Sequence, residues 1–266
     1  MQKFYKLIIV IALISVFIAG SSYFNVLAQG ALTGKEVIEK NFYREDGNDE
    51  TSNLVMTLIN KSGDKRIREI VQFTKEYSGV EKKIVLFVSP ADVRNTSFLN
   101  LNYDDVNKND DQWIYLPALK KIKRISSESK GDYFMGSDFT YDDISDRTPD
   151  QDNHKLLKTE ELNSETCYVV ESTPKEKNSM YSKTISWVMK DKWLFLKREF
   201  YDKDKKLLKM ERAEQYKQIN GIWTTTHRVM ENMQKNHITD IVYSNYKYNI
   251  GIDDSKFTEQ SLKKGL

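Results

Sequence analysis

The sequence has few of the residues that cross-link a chain or interrupt regular structure. Its 266 residues include one cysteine, four prolines and eleven glycines. Because Cys167 is the only cysteine, an internal disulfide is excluded and the fold must depend on its apolar core. Cys167 itself is predicted to be a small buried apolar residue on a strand. Prolines and glycines mark no flexible interdomain linker, and no repeat of solenoid length occurs.

The chain also lacks an excess of charge of either sign. Lys and Arg total 41, Asp and Glu total 39, and the formal net charge is +2. Lys3 and Lys6 supply this surplus, and both lie in the N-terminal segment described next. The rest of the chain is therefore formally neutral, which gives no electrostatic reason to expect a nucleic-acid partner.

The first 28 residues have the order of a secretory signal peptide. Two lysines precede an apolar run over residues 7–19, and small residues lead to Ala28. The run is shorter than the roughly 20 residues that span a bilayer, so cleavage after Ala28 is favoured over a retained anchor. No cysteine stands at the cleavage point, so an N-terminal lipid anchor is not expected. We predict residues 1–28 to be a signal peptide, residues 29–266 a single domain, and the location to be periplasmic.

The remaining pattern has mainly period two. One helix is predicted over residues 33–43, where Thr33 and Glu36 have capping-box spacing. Many alternating segments with short polar turns are typical of an antiparallel sandwich or barrel. Strands are predicted at residues 54–59, 66–74, 83–88, 96–103, 155–162, 166–173, 181–190, 194–202, 206–217, 222–231 and 237–248. Residues 83–88 are apolar on both faces, so a helix or an apolar ligand must cover the second face.

Residues 104–153 interrupt this regularity and are long and aromatic for a surface loop. The basic run at residues 120–124 fits either a surface for anionic head groups or a strand whose Ile122 turns inward. Four acidic residues in this part form a cluster: Asp138, Asp142, Asp143 and Asp146. Their spacing fits no calcium loop, so local capping or pairing is favoured over a cation site. A hydrolase using these carboxylates is the third of three functional hypotheses.

Motifs for catalysis are missing. The three histidines, His154, His227 and His237, have no metal-ligand spacing, and no cysteine joins them. His227 is expected to be structural. The sequence contains no nucleophile elbow and no phosphate-binding Gly-rich loop. We therefore predict no enzymatic activity, no cofactor and no metal.

Three segments in the middle third carry a resemblance to a known family: residues 92–99, 111–125 and 134–144. Together with the ending at residues 257–262, they resemble the outer-membrane lipoprotein-sorting proteins, a LolA-like family with many uncharacterised periplasmic members. That family often has glycine after the arginine of the first segment, where this chain has Asn95. Asparagine tolerates left-handed backbone angles better than most residues, so the same turn is expected here.

The resemblance implies a mainly β fold: a half-open antiparallel β barrel with an N-terminal helix and a helical or loop lid in its concave face. It also implies a carrier of lipid or acylated lipoprotein, with acyl chains held in an apolar cavity for transfer towards the outer membrane. An inner-membrane transporter or an outer-membrane acceptor would be its partner. The alternative is a non-enzymatic adaptor that docks to such a transporter or envelope complex through residues 120–144.

Candidate site residues come from the same segments. Five are predicted to line or gate the cavity: Trp113, Tyr115, Phe134, Met135 and Phe139. For each aromatic residue among them, simple core packing is an equally good interpretation. Four charged residues are predicted to hold the lid, with Arg94 and Arg124 pairing with Asp138 or Asp143.

Overall fold

A computed structural model of the protein describes residues 32–264. The predicted signal peptide, residues 1–28, lies outside the described residues. Within residues 32–264, no helix has both the length and the apolarity that crossing a membrane requires.

Strands make up most of the described chain, with three helices beside them. The helices are α1 (Gly34–Phe42), α2 (Tyr141–Ile144) and α3 (Glu259–Lys264). The strands are β1 (Asp49–Ile59), β2 (Lys65–Tyr77), β3 (Val80–Ser89), β4 (Ser97–Tyr103), β5 (Asp111–Leu116), β6 (Lys121–Arg124), β7 (Asp152–Leu162), β8 (Glu165–Pro174), β9 (Lys183–Met189), β10 (Phe195–Tyr201), β11 (Leu207–Ile219), β12 (Ile222–Asn232) and β13 (His237–Tyr248).

All thirteen strands belong to one antiparallel sheet in the order β6-β5-β4-β3-β2-β1-β13-β12-β11-β10-β9-β8-β7. The first and last strands pair at its centre, and the sheet stays open, with β6 and β7 as its outer edges. Residues 125–151, called here the central segment, connect these two edges and pack on the concave face. The predicted mainly β, half-open architecture with a lid is confirmed.

Strict alternation sends every second side chain of the central strands to the concave face. Leu54 and Met56 of β1, Ile70 of β2 and Ile241 of β13 meet there in the main core cluster. Each is at least nine-tenths buried. This face is the one on which the central segment rests, so the core and the lid form a single apolar unit.

Helix α1 begins as its sequence predicts. Thr33 and Glu36 form a reciprocal capping box, with 3.2 Å between Glu36 N and Thr33 Oγ1 and 2.7 Å between Thr33 N and Glu36 Oε2. Val37 packs on the concave side of β8 and β9. At Gly34 an added Cβ would stand 2.6 Å from the backbone nitrogen of Leu156 in β7, so a side chain there would collide with the sheet. Glycine thus lets the helix start directly against the strand.

The opposite face of β3–β5 is covered by the C-terminal residues. Phe257 and Leu262 pack against Ile84 and Leu99 in a separate cluster. Ser97 Oγ donates a hydrogen bond to the carbonyl of Leu262 at 2.6 Å. This arrangement explains why β3 is apolar on both faces: one face meets the lid and the other meets α3.

Local predictions outside the site have clear outcomes. Cys167 is fully buried on β8, and burial raises the pKa of its thiol to about 11. Asn95 has a φ of +64°, the left-handed turn expected at that position. Residues 104–153 are more regular than predicted, since they contain β5, β6 and α2. In β6, Ile122 packs into the cluster under α3 while its lysine neighbours are exposed.

Candidate functional site

A cavity of about 600 Å³ lies on the concave face between α1, the central segment and the sheet. This volume lies within the roughly 300–1,000 Å³ of ordinary small-molecule sites. Its walls come from every strand except β5 and β6, so it crosses the central β1–β13 seam.

One side of the cavity is apolar. Leu54, Met56, Ile70 and Val85 line it from the sheet, while residues of the central segment line it from the lid. Phe134 is the main aromatic residue of that lid, with ring centroids 5.1 Å from Phe98, 5.9 Å from Phe87 and 5.5 Å from Tyr141. Those contacts hold the Phe134 ring against the apolar side of the cavity, which we call the apolar floor.

The predicted lining residues fall into two groups. Phe134 and Phe139 line the cavity, and their role in binding stays a prediction. Met135 packs beside the core cluster, where its carbonyl oxygen accepts a hydrogen bond from Arg68. Trp113 and Tyr115 require a correction, because alternation turns both to the opposite face, where they pack beneath α3. Their strand neighbours face the concave side instead.

The central segment is fixed to the sheet by a buried ion pair. Lys209 of β11 lies 2.5 Å from Asp143 and donates a second hydrogen bond to the carbonyl of Asp138 at 2.8 Å. Asp143 also accepts from the hydroxyl of Tyr181 at 2.9 Å and caps α2 through Thr140. Although burial opposes it, Lys209 lowers the pKa of Asp143, so this carboxylate stays charged.

The lid pairing predicted from the sequence therefore needs correction. Asp138 and Asp143 do hold the lid, but their partners come from β11 and β13. Asp138 Oδ2 lies 2.6 Å from His237 Nδ1 and accepts from Thr239 at 2.8 Å. Arg124 instead pairs with Asp111 on the neighbouring strand, and Arg94 donates to the carbonyl of Val88. These contacts, rather than Asp138 or Asp143, are where the two arginine side chains bind.

The opposite side of the cavity is charged, which the expectation of an apolar cavity did not include. Glu211 of β11 accepts from Arg198 Nε and Arg228 Nε at 2.7 Å each. We call these three residues the Arg–Glu–Arg cluster. Burial alone would raise the pKa of Glu211, but the two arginines lower it to about 2. Tyr243, Tyr246 and Tyr248 stack in a row beside this cluster.

A second charged group lines the cavity from β1–β3. Glu50, Glu76 and Glu81 come from three adjacent strands, and Asp46 comes from the loop before β1. We call these four residues the acidic wall. Lys83 is its main cation, with Nζ 3.3 Å from Glu81 and 3.4 Å from Asp146.

The acidic residues of the central segment do not converge on one point. Asp142 pairs with Arg147, Asp143 with Lys209 and Asp146 with Lys83. Among residues 32–264, no group of histidine, cysteine and acidic side chains is arranged to hold a metal ion. Asp142 pairs within the central segment and Asp143 caps α2, whereas Asp143 and Asp146 also pair with lysines of β11 and β3. His227 lies 3.1 Å from Asp240 on the neighbouring strand, consistent with a structural position.

Sequence reasoning missed Lys209, Glu211, Arg198 and Arg228 because each lies in an ordinary alternating strand. One signal was present. All four side chains lie on the same face of the sheet as Phe200 and Met230, so charged residues fall on the apolar face. A charged residue in the buried phase of a strand requires a partner. The pattern thus indicates ion pairs inside, although it does not say which pairs form.

Comparison with known proteins gives consistent results. A family model described as an uncharacterized protein matches residues 79–264. An outer membrane lipoprotein-sorting protein domain from Vibrio parahaemolyticus is 34% identical, with 86% of this chain and 98% of that chain covered and a TM-score of 0.82. A DUF1329 family protein from Desulfovibrio piger is 32% identical, with 86% and 97% covered and a TM-score of 0.83.

A LolA superfamily protein from Nitrosomonas europaea is 24% identical, with 87% of this chain and all (100%) of that chain covered and a TM-score of 0.69, a similarity of fold. No curated protein matches the chain.

Proposed function

The chain belongs to the outer-membrane lipoprotein-sorting, LolA-like family, and from this premise we propose that it is a periplasmic carrier of lipid or acylated lipoprotein. Acyl chains would be held in the concave cavity during transfer towards the outer membrane. The carrier breaks no bond, so it acts by binding and release alone.

The observation that carries this proposal is the cavity beside the aromatic lid. Its apolar side is built from Leu54, Met56 and Ile70 and is covered by Phe134 and Phe139. Burying each methylene of an acyl chain away from water is favourable by about 0.8 kcal/mol of free energy. A chain in a membrane already has this burial, so the protein can extract it only if the cavity encloses most of the chain.

The lid supplies a way to enclose a long chain. Phe134 and Phe139 already occupy the apolar floor, so an incoming acyl chain replaces one set of apolar contacts with another. Such an exchange changes the buried apolar area little. We infer that chains enter beside these rings and that longer chains displace them, and that release follows when an acceptor binds the acyl chain more tightly.

The rest of the proposal concerns location and partners. Residues 1–28 act as a cleaved signal peptide and residues 29–266 as one exported domain. An inner-membrane transporter would supply the cargo or an outer-membrane acceptor would receive it.

Cavity-filling substitution provides the test. Ala213 lines the cavity, so Ala213→Trp fills it without burying a charge. Ala91 is exposed on a turn, and Ala91→Trp is the matched control. Each protein is purified from the periplasm and examined by native mass spectrometry with lipid extraction. We expect lipid or lipopeptide with the wild type and the control, and at least tenfold less with Ala213→Trp.

A wild type that carries nothing and takes up neither added phospholipid nor added lipopeptide contradicts the carrier proposal. That result would favour a non-enzymatic adaptor that docks to a transporter.

A further inference from the structure

The charged side of the cavity has two parts with opposite surplus charge. In the Arg–Glu–Arg cluster, two guanidinium groups contact one carboxylate, which leaves one positive charge within the cluster. Asp146 of the central segment also acts on both arginines, but its ion pair is with Lys83. The side chains of Arg198 and Arg228 keep 24% and 29% of their surface exposed, and both line the cavity. Nη1 of Arg228 has only a long contact, 3.4 Å, to the hydroxyl of Tyr243. Both guanidinium groups therefore retain donors for an anionic group inside the cavity.

The acidic wall has the opposite surplus. Glu76 and Glu81 are directly opposite each other on β2 and β3, a like-charge arrangement that destabilises a sheet. Burial raises the pKa of Glu81 to about 7 despite Lys83, and burial also raises the pKa of Glu50 and of Glu76. These carboxylates are held in a desolvated position where an additional cation would stabilise them.

Two buried atoms in this region have no hydrogen-bond partner. Oε1 of Glu81 accepts no hydrogen bond, although Lys83 Nζ is near, and Nε of Arg44 donates none. Both residues line the cavity. Buried polar atoms are nearly always satisfied in folded proteins. Glu81 Oε1 has only the 3.3 Å ion pair with Lys83, and Arg44 Nε donates no hydrogen bond, so both atoms can still bind a polar group that enters the cavity.

The sheet order separates the two parts across the cavity. The acidic wall lies on β1–β3 and the Arg–Glu–Arg cluster on β10–β12, with β13 between them. The apolar floor of Leu54, Met56 and Ile70 lies alongside, so a ligand can bury an acyl chain and place its head among these charges. A purely anionic head would meet the acidic wall, and a purely cationic head would meet the arginines.

We propose that the charged side of the cavity binds a zwitterionic head group, a phosphodiester joined to an ammonium, so that the preferred lipid is an aminophospholipid. The phosphodiester faces Arg198 and Arg228, and the ammonium faces Glu50 and Glu81. This inference rests on the proposed carrier function and names the class of lipid carried.

Competition between head groups tests it. The purified protein is incubated with vesicles that contain equal amounts of phosphatidylethanolamine and phosphatidylglycerol with identical acyl chains. The soluble protein is then separated, and its lipid is identified and counted by mass spectrometry. We expect at least tenfold more phosphatidylethanolamine than phosphatidylglycerol on the wild type.

Variants separate head-group recognition from acyl binding. Glu50→Gln with Glu81→Gln removes two carboxylates from the acidic wall, and we expect the ratio to fall to about one because phosphatidylethanolamine loses the contacts of its ammonium. The matched control is Glu214→Gln with Glu231→Gln, which removes two carboxylates that pair with Arg212 outside the cavity. Its ratio should equal that of the wild type.

The outcomes distinguish this inference from the carrier proposal. Lipid loading with equal amounts of the two head groups, or with more phosphatidylglycerol, overturns the zwitterion inference and leaves the carrier intact. No loading of either phospholipid by a protein that still takes up added lipopeptide overturns the zwitterion inference alone, and failure with lipopeptide as well overturns both. A ratio that falls equally in the control variant shows that the acidic wall is not the recognition site.

Discussion

The ion pair between Lys209 and Asp143 offers the sharpest test of how the central segment is held. Their side chains are 0% and 4% exposed, so neither can be solvated when its partner is lost. Breaking a buried pair by neutralising one member costs about 3–5 kcal/mol, because the other charge remains buried alone. We expect Asp143→Asn to lose this much stability, although the substitution is nearly isosteric.

The double variant Asp143→Leu with Lys209→Met provides the internal check. Replacing a buried pair with apolar residues of similar volume is often neutral or stabilising, so the double variant should regain most of the loss. Urea unfolding measures the free energy, and amide exchange across residues 133–146 measures lid opening. Because about 1.4 kcal/mol corresponds to a factor of ten, lid exchange in Asp143→Asn should rise by about 100-fold or more.

Two results would refute this reasoning. A loss below about 1 kcal/mol in Asp143→Asn would mean that the lysine is solvated or partnered elsewhere. A double variant less stable than the single one would mean that the pair contributes net stability rather than only avoiding an unpaired charge.

Three further predictions concern other parts of the fold. The pKa of Glu211 is about 2 in the folded protein and about 4.3 in the unfolded chain, so its charge stabilises the fold above pH 4.3 and this stabilisation is lost as the pH falls towards 2. In urea unfolding, the difference in unfolding free energy between the wild type and Glu211→Gln should shrink by about 3 kcal/mol from pH 5 to pH 2. A difference that stays constant with pH would contradict this prediction. Gly34→Ala should lose about 1–3 kcal/mol by thermal unfolding, since its Cβ meets the backbone of Leu156; an unchanged melting temperature would show that α1 can shift freely. Trp113→Ala should lower the free energy of unfolding by about 2 kcal/mol, because the packing contacts beneath α3 are lost. Lipid loading should stay unchanged, and a loss of loading in a folded variant would show that Trp113 does belong to the binding site.

The fold was largely predictable because its signals are local. The capping box at Thr33 and Glu36 defined α1, and period-two alternation located eleven of the strands, although β1 begins at Asp49, before its predicted start at residue 54. The short strands β5 and β6 were harder, since six and four residues between polar turns carry little periodicity. Their identity depends on pairing with β4, which the sequence does not display.

The site was predictable only in part, because alternation gives the phase of a strand but not which phase is concave. Trp113 and Tyr115 share one phase with each other and were assigned to the cavity, whereas the sheet turns that phase towards α3. Phe134 and Phe139 lie in the lid, a distinct segment that lines the cavity, and their role in binding stays a prediction. Lys209 and Glu211 depend on contacts across the sheet and with the lid, which lie far apart in sequence.

The pairing of β1 with β13 has a consequence for how the chain is made. While the strands from β1 to β6 can pair with their neighbours as they emerge, the free edge of β1 must wait for almost the last residues to be synthesised. Long-range strand pairing is slow, and an unpaired strand edge can recruit other chains. The growing chain therefore passes through a long period with an unprotected central edge, and a chaperone that shields β1 until β13 arrives should raise the yield of native protein more than one that shields either outer strand.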